Sequence, residues 1–269
     1  MKQGNKSSKP AVKKKAEPGN TASKKKAAKN PGSPGNTNAG QFINKLLTLR
    51  SATVLKKYHR FFTFDEKSKK DTFTGVRMGQ VFALAKEFME MPPAEIEKLL
   101  ESYIHEVRAG GCSIMARQAS HKKTSESRLK ELYELYLRRH DRINNWDLVD
   151  LAAYHVVGRY LENKPRKILY TLARSKNTWE RRTAIVSTAH FIRQKDVEDT
   201  FKIAELLLKD KEETIHKATG WMLRFAGTVD PKKLLAFLDK YAVTMPRITL
   251  RAAIEHLSKK QREEYLSRK

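Results

Sequence analysis

The chain has 269 residues, 39% of them hydrophobic, and carries 55 Lys and Arg against 30 Asp and Glu, a formal charge of +25. That apolar content suffices for a folded core. No run of about 18 apolar residues occurs, and the basic start MKQGNKSSKPAVKKK lacks the apolar centre of a secretion signal, which argues against export and membrane spanning. Cys112 is the only cysteine, so neither an intramolecular disulfide nor an all-cysteine metal site can form. This fits a reducing compartment and a cytoplasmic location, nucleoid-associated in a bacterium or nuclear in a eukaryote.

Residues 1–40 hold ten Lys and one Glu in a background of Ala, Ser, Gly, Asn and Pro, and read as a disordered tail. Its clusters at 13–15 and 24–26 fit a DNA-tethering arm, a nuclear-localisation-like address or a solvated tail. Residues 41–269, read as one folded domain, still carry +16 of the +25. A polyanion is the economical partner, because each neutralised phosphate releases counterions. An acidic protein or an anionic membrane surface would answer the same charge.

From Gln41 onward the pattern is helical. At 93–108, after Pro92 and Pro93, the apolar residues Ile96, Leu99, Leu100 and Tyr103 recur at i, i+3, i+4 and i+7. Similar stripes occupy 128–138, 180–193, 200–208, 212–226 and 247–257, parted by polar breaks at 162–164, 175–178, 194–196, 209–211 and 228–231. No strand-like alternation of useful length is present. Trp146 opens one helix and Trp179 another 33 residues on, while Trp221 lies in a third. Two helices in about 35–40 residues is the rhythm of a HEAT-like solenoid, whose concave basic face can wrap a duplex.

Three short segments hold side chains that stand apart from these stripes. Asn145 is a natural N-cap, and Trp146 and Asp150, four apart, share a helix face. Asp150 sits in a helix with little solvent face, so it needs either a structural salt-bridge partner or a chemical role. Trp179 and Arg182 lie one turn apart; Arg182 can orient Asp150 or bind phosphate, although an Arg181–Arg182 pair on its own reads as a solvated face. Lys217, Trp221 and Arg224 share a face away from the Ile215/Ala218/Met222 core stripe. That combination suits DNA sugar and phosphate, or a Trp covering the gap to the next repeat. Paired metal-ligand spacings, GxSxG, phosphate-binding loops and dinucleotide fingerprints are missing, so neither a metal nor a cofactor is expected.

From about Lys57 to the C-terminus the chain resembles the AlkD-type DNA alkylation repair glycosylases, built from HEAT-like repeats. The resemblance rests on FTGVR at 73–77, LAK at 84–86, IHEVR at 104–108, RINNWDLVD at 142–150 and HVVG at 155–158. It continues with WERRTAIV at 179–186, IHKATGWMLR at 215–224, and MPR at 245–247 with Leu250 and Arg251. It implies an all-α fold and a cleft in which Trp146, Asp150 and Trp221 face the lesion, supported by Arg182. It further implies a monomeric, metal-free, monofunctional enzyme that excises cationic alkylated purines from double-stranded DNA. Phosphate contacts are expected from Arg77, Arg181, Lys217, Arg224, Arg247 and Arg251. The alternative is a non-catalytic DNA-structure binder on the same fold, and beyond it a helical scaffold for protein partners. The chain departs from the family pattern at Gly79 and Phe82, at Tyr154, and through 110–123 (GGCSIMARQASHKK). These positions bear on the N-terminal DNA contacts and on substrate range.

Overall fold

The computed structural model describes residues 37–58 and 71–268. Both lysine clusters of the expected tail, and residues 59–70, lie outside the described residues. All regular elements among the described residues are helical. They run α1 (Ala39–Leu47), α2 (Ala52–Tyr58), α3 (Met78–Glu87), α4 (Pro93–Leu100), α5 (His105–Ser120), α6 (Glu126–Arg138), α7 (Trp146–Ala153) and α8 (Lys167–Leu172). There follow α9 (Thr178–Ser187), α10 (Ala189–Arg193), α11 (Glu198–Leu207), α12 (Glu213–Val229), α13 (Pro231–Tyr241), α14 (Arg247–Ala253) and α15 (Lys259–Ser267).

The helical part begins slightly earlier than expected. Asn38 accepts a hydrogen bond from the Gln41 N–H at 2.9 Å while Gln41 bonds back to the Asn38 N–H, a reciprocal cap that starts α1 at Ala39. Residues 38–40 therefore belong to the fold rather than to the tail. The stripe at 93–108 is not one helix. It stops at Leu100, because Thr72 bridges to the turn that follows, accepting from the His105 N–H and donating to the Tyr103 carbonyl, each at 2.8 Å. Tyr103 is consequently 52% exposed rather than core. The stripe at 180–193 likewise divides at Thr188, whose hydroxyl bonds the Ile185 carbonyl at 2.7 Å and bends the chain.

The atypical stretch at 110–123 still folds as helix for most of its length, as the centre and end of α5. This helix is buried almost throughout, and Gly110 leaves room for the Phe42 ring of α1, from which a Cβ would lie only 2.3 Å.

The packing follows a simple order. Helices α3, α5, α7, α9, α12 and α14 touch in succession, and sequence neighbours flank them, α4 and α6 beside α5, α8 beside α9, α11 and α13 beside α12. This is an all-α helical-repeat arrangement. One continuous apolar core runs through it from Ala39 to Tyr265. Helix α7 does not end cleanly; it widens into a π-helical turn over Tyr154–Gly158. Gly158 closes that turn against the next repeat, with a hypothetical Cβ only 2.5 Å from the Ser187 carbonyl oxygen.

Candidate active site

The site is assembled from three successive inner helices, α7, α9 and α12. At α7 the Asn145 side chain accepts from the Trp146 N–H at 2.9 Å, as expected of a cap. Trp146 is 40% exposed, and Asp150 follows it on the same helix face. Asp150 has its partner on α9. Arg182 donates from Nε to Oδ1 at 2.9 Å and from Nη2 to Oδ2 at 2.7 Å, a bidentate pair. Arg182 itself is only 5% exposed, so it orients Asp150 and is no solvated face. Its third nitrogen, Nη1, donates to the Thr214 carbonyl at 2.5 Å and to Thr214 Oγ1 at 3.1 Å, at the start of α12.

Thr214 and Trp221 are seven apart on α12 and so lie on one face. Trp221 is 37% exposed, while Ile215, Ala218 and Met222 are buried. The structure thus joins Asp150, Arg182 and Thr214 directly and places an exposed indole on each flanking helix. Thr214 had no signal in the sequence beyond its position in a first helical turn. Burial pushes the Asp150 carboxyl above its ordinary range, with Arg182 pulling it back and the neighbouring Asp147 adding to the rise.

Behind Trp146 lies a buried polar frame that the sequence motifs encode without announcing its role. Asp71 receives both Nη atoms of Arg108 at 2.9 Å, Arg142 Nη2 at 3.0 Å and Asn144 Nδ2 at 2.9 Å. Glu106, fully buried, accepts from the N–H groups of Thr74, Gly75 and Val76 at 2.7–3.1 Å. His105 Nε2 meets Asp147 Oδ2 at 2.8 Å. The segments 73–77, 104–108 and 142–150 are therefore one unit, which fixes where α7 starts and where Arg77 leaves the surface.

The six cations expected at phosphate are dispersed and differently engaged. Arg77, exposed at the start of α3, and Arg251, exposed on α14, are the open ones. Lys217 pairs with Glu213 at 2.5 Å one turn away, Arg224 pairs with Glu255, and Arg247 donates to the Leu266 carbonyl at 2.8 Å. Arg181 is clamped to the nearly buried Asp210 through two bonds at 2.6 and 3.1 Å and to the Ser175 carbonyl at 3.0 Å. Its guanidinium serves the junction between repeats.

A family model described as "DNA alkylation repair enzyme" matches residues 42–257, a span that includes all of Trp146, Asp150, Arg182 and Trp221. The chain belongs to the DNA alkylation repair enzyme family. Membership supports a DNA repair role and an interaction with DNA. Among solved structures, a predicted DNA alkylation repair enzyme from Enterococcus faecalis is similar in fold, with a TM-score of 0.59 at 16% identity, over 78% of this chain and 97% of that one. No curated protein matches the sequence. Among the described residues of this family member no group of three His, Cys, Asp or Glu is placed to hold a metal ion, and no helix is long and apolar enough to cross a membrane.

Proposed function

We propose that the chain is a monofunctional DNA glycosylase that hydrolyses the N-glycosidic bond of cationic alkylated purines, 7-methylguanine and 3-methyladenine, in duplex DNA. The observation that carries this reading is a partly open carboxylate, Asp150, held by Arg182, which joins the two helices that carry the exposed indoles of Trp146 and Trp221.

The chemistry suits these groups. A purine alkylated at N3 or N7 is already positive, so it departs as a neutral base without protonation, and the positive charge passes to the deoxyribose. Indole faces and a carboxylate stabilise that charge as it develops. At about 4 Å and an effective dielectric near 20, one carboxylate contributes roughly 4 kcal/mol, on the order of 10³ in rate. Arg182 occupies one lone-pair direction on each Asp150 oxygen, and a carboxylate offers about four. The remaining directions can accept from the water that attacks the sugar.

The test is release of 7-methylguanine and 3-methyladenine from methylated duplex DNA by the wild type and by Asp150→Asn. The variant leaves Arg182 as a lone positive charge beside a cationic substrate. Excision should fall by about two to three orders of magnitude while duplex binding persists. A second reading has one observation in its favour: the bidentate pair also makes a sound structural clamp between two helices, as a non-catalytic DNA-structure binder would need. Release of neither base by wild type, with binding intact, selects that reading.

A further inference from the structure

Two departures from the family pattern, Phe82 and the stretch 110–123, lie far apart in sequence but line one cavity, and a third, Tyr154, is the sequence neighbour of its lining residue His155. A cavity of about 370 Å³ opens between α3, α5 and the end of α7, lined by Phe82, Ser113, Arg117, Ser120, Leu151 and His155. Ser113, Arg117 and Ser120 fall at i, i+4 and i+7 on α5, one face of that helix. Leu151 and His155 place the cavity on α7, the helix that carries Asp150, and on the π-helical turn that continues it. Tyr154 stands beside His155, with Arg193 packed over its ring at 4.9 Å.

The polar lining consists of hydrogen-bond donors and contains no carboxylate. Arg117 donates from Nη2 to the Phe82 carbonyl at 3.3 Å, pairs with no carboxylate among the described residues, and leaves a buried Nε without a partner. Ser120 Oγ and His155 Nδ1 are 2.5 Å apart. If the hydroxyl donates, the ring proton sits on Nε2; if the ring donates, the hydroxyl proton is free to turn elsewhere. Either way the pair keeps one donor for a ligand. Burial, with Arg193 and His190 nearby, holds the His155 imidazole down to about 4, so the ring is neutral at pH 7 and demands no counter-charge of its own. The walls are largely apolar, from Phe82, Ala116 and Leu151, but they hold these few donors together with an unpaired guanidinium, a set suited to the oxygens of an anion.

The geometry points to a phosphate-binding pocket, formed by Ser113, Arg117, Ser120 and His155, that receives a backbone phosphodiester of bound DNA. This rests on the DNA-binding reading above, and the experiment separates the two. Duplexes carrying a single neutral methylphosphonate, moved one position at a time, are titrated with wild type, Arg117→Gln, Arg117→Lys and Ser120→Ala. One position should weaken the wild type and cease to matter in Arg117→Gln, with Arg117→Lys intermediate and Ser120→Ala weakened at that same position. The salt dependence of Arg117→Gln should be shallower by about 0.9, so that raising salt from about 50 to 200 mM costs the wild type about 3.5-fold more affinity than the variant. Identical methylphosphonate profiles in wild type and Arg117→Gln overturn the pocket while leaving DNA binding intact. Absence of duplex binding by wild type overturns the DNA reading instead. The His155 ring resonances are then followed during titration with inorganic phosphate. A perturbation that disappears in Arg117→Gln retains the phosphate site, and no perturbation removes it.

Discussion

Asp150 and Arg182 face each other across two helices, and their value depends on geometry as much as on charge. A guanidinium fork fixes both carboxylate oxygens at once, which an ammonium cannot do. Arg182→Lys should therefore keep the ion pair but loosen the carboxylate and abandon Thr214. Excision is expected to fall about tenfold, equivalent to about 1.4 kcal/mol of transition-state stabilisation, with duplex affinity unchanged. Single-turnover base release checks this; wild-type rates would show that bidentate holding is dispensable. At this scale the sequence was partly legible. The four-residue spacing of Trp146 and Asp150 and the cap at Asn145 follow from helix periodicity alone. That Asp150 needs either a partner or a chemical role also follows, with Arg182 able to orient it or to bind phosphate. The Thr214 contact, the Asp71–Arg108–Arg142 frame and the clamping of Arg181 by Asp210 did not, because each joins residues about 30 or more positions apart that no local periodicity links.

Among the elements, the stripes predicted existence better than extent. Apolar spacing continues through 101–104 and through Thr188, yet the helices stop there, since a bridge to Thr72 and a side-chain bond to the backbone compete with the helical ladder. The π-helical turn at Tyr154–Gly158 was also invisible, because one extra residue per turn leaves little trace in so short a segment. Its glycine offers a direct check. Gly158→Ala places a methyl group against the Ser187 carbonyl and His190, and overpacking of that kind costs about 1–3 kcal/mol. Urea unfolding should show a lower midpoint with an unchanged slope. An unshifted midpoint would mean that the two repeats part easily at this crossing.

Over the whole molecule, charge and buried histidines set the response to solution conditions. Removing residues 1–36, which keeps the Asn38 cap intact, deletes ten Lys and one Glu. If that segment reaches phosphate, the slope of log affinity against log salt becomes shallower by about 0.9 for each phosphate it had neutralised; an unchanged slope in fluorescence anisotropy means that the arm neutralises none. His140, 5% exposed and bonded to Thr183 Oγ1 at 3.1 Å, is held by burial down to about 4 against an ordinary 6.5. Between those values the unfolded chain binds the extra proton and the native one does not, so stability rises with pH and is lost as pH falls from 6.5 towards 4. The loss from this group is on the order of 3 kcal/mol. Urea unfolding at pH 7 and pH 4.5 should show it in wild type and show less of it in His140→Gln; equal losses would place the acid sensitivity elsewhere.

A stack of helical repeats behaves to a first approximation as a one-dimensional chain of units, each coupled only to its neighbours and free to fray from either end. Arg182 tightens that coupling at one point, because one side chain on α9 bonds to both of its neighbours, α7 on one side and α12 on the other. The three units it joins should open as a single cooperative block, and amide protons in α7 and α12 should exchange with a common free energy. The place where the backbone of the array is least able to breathe is then the place of the proposed active site.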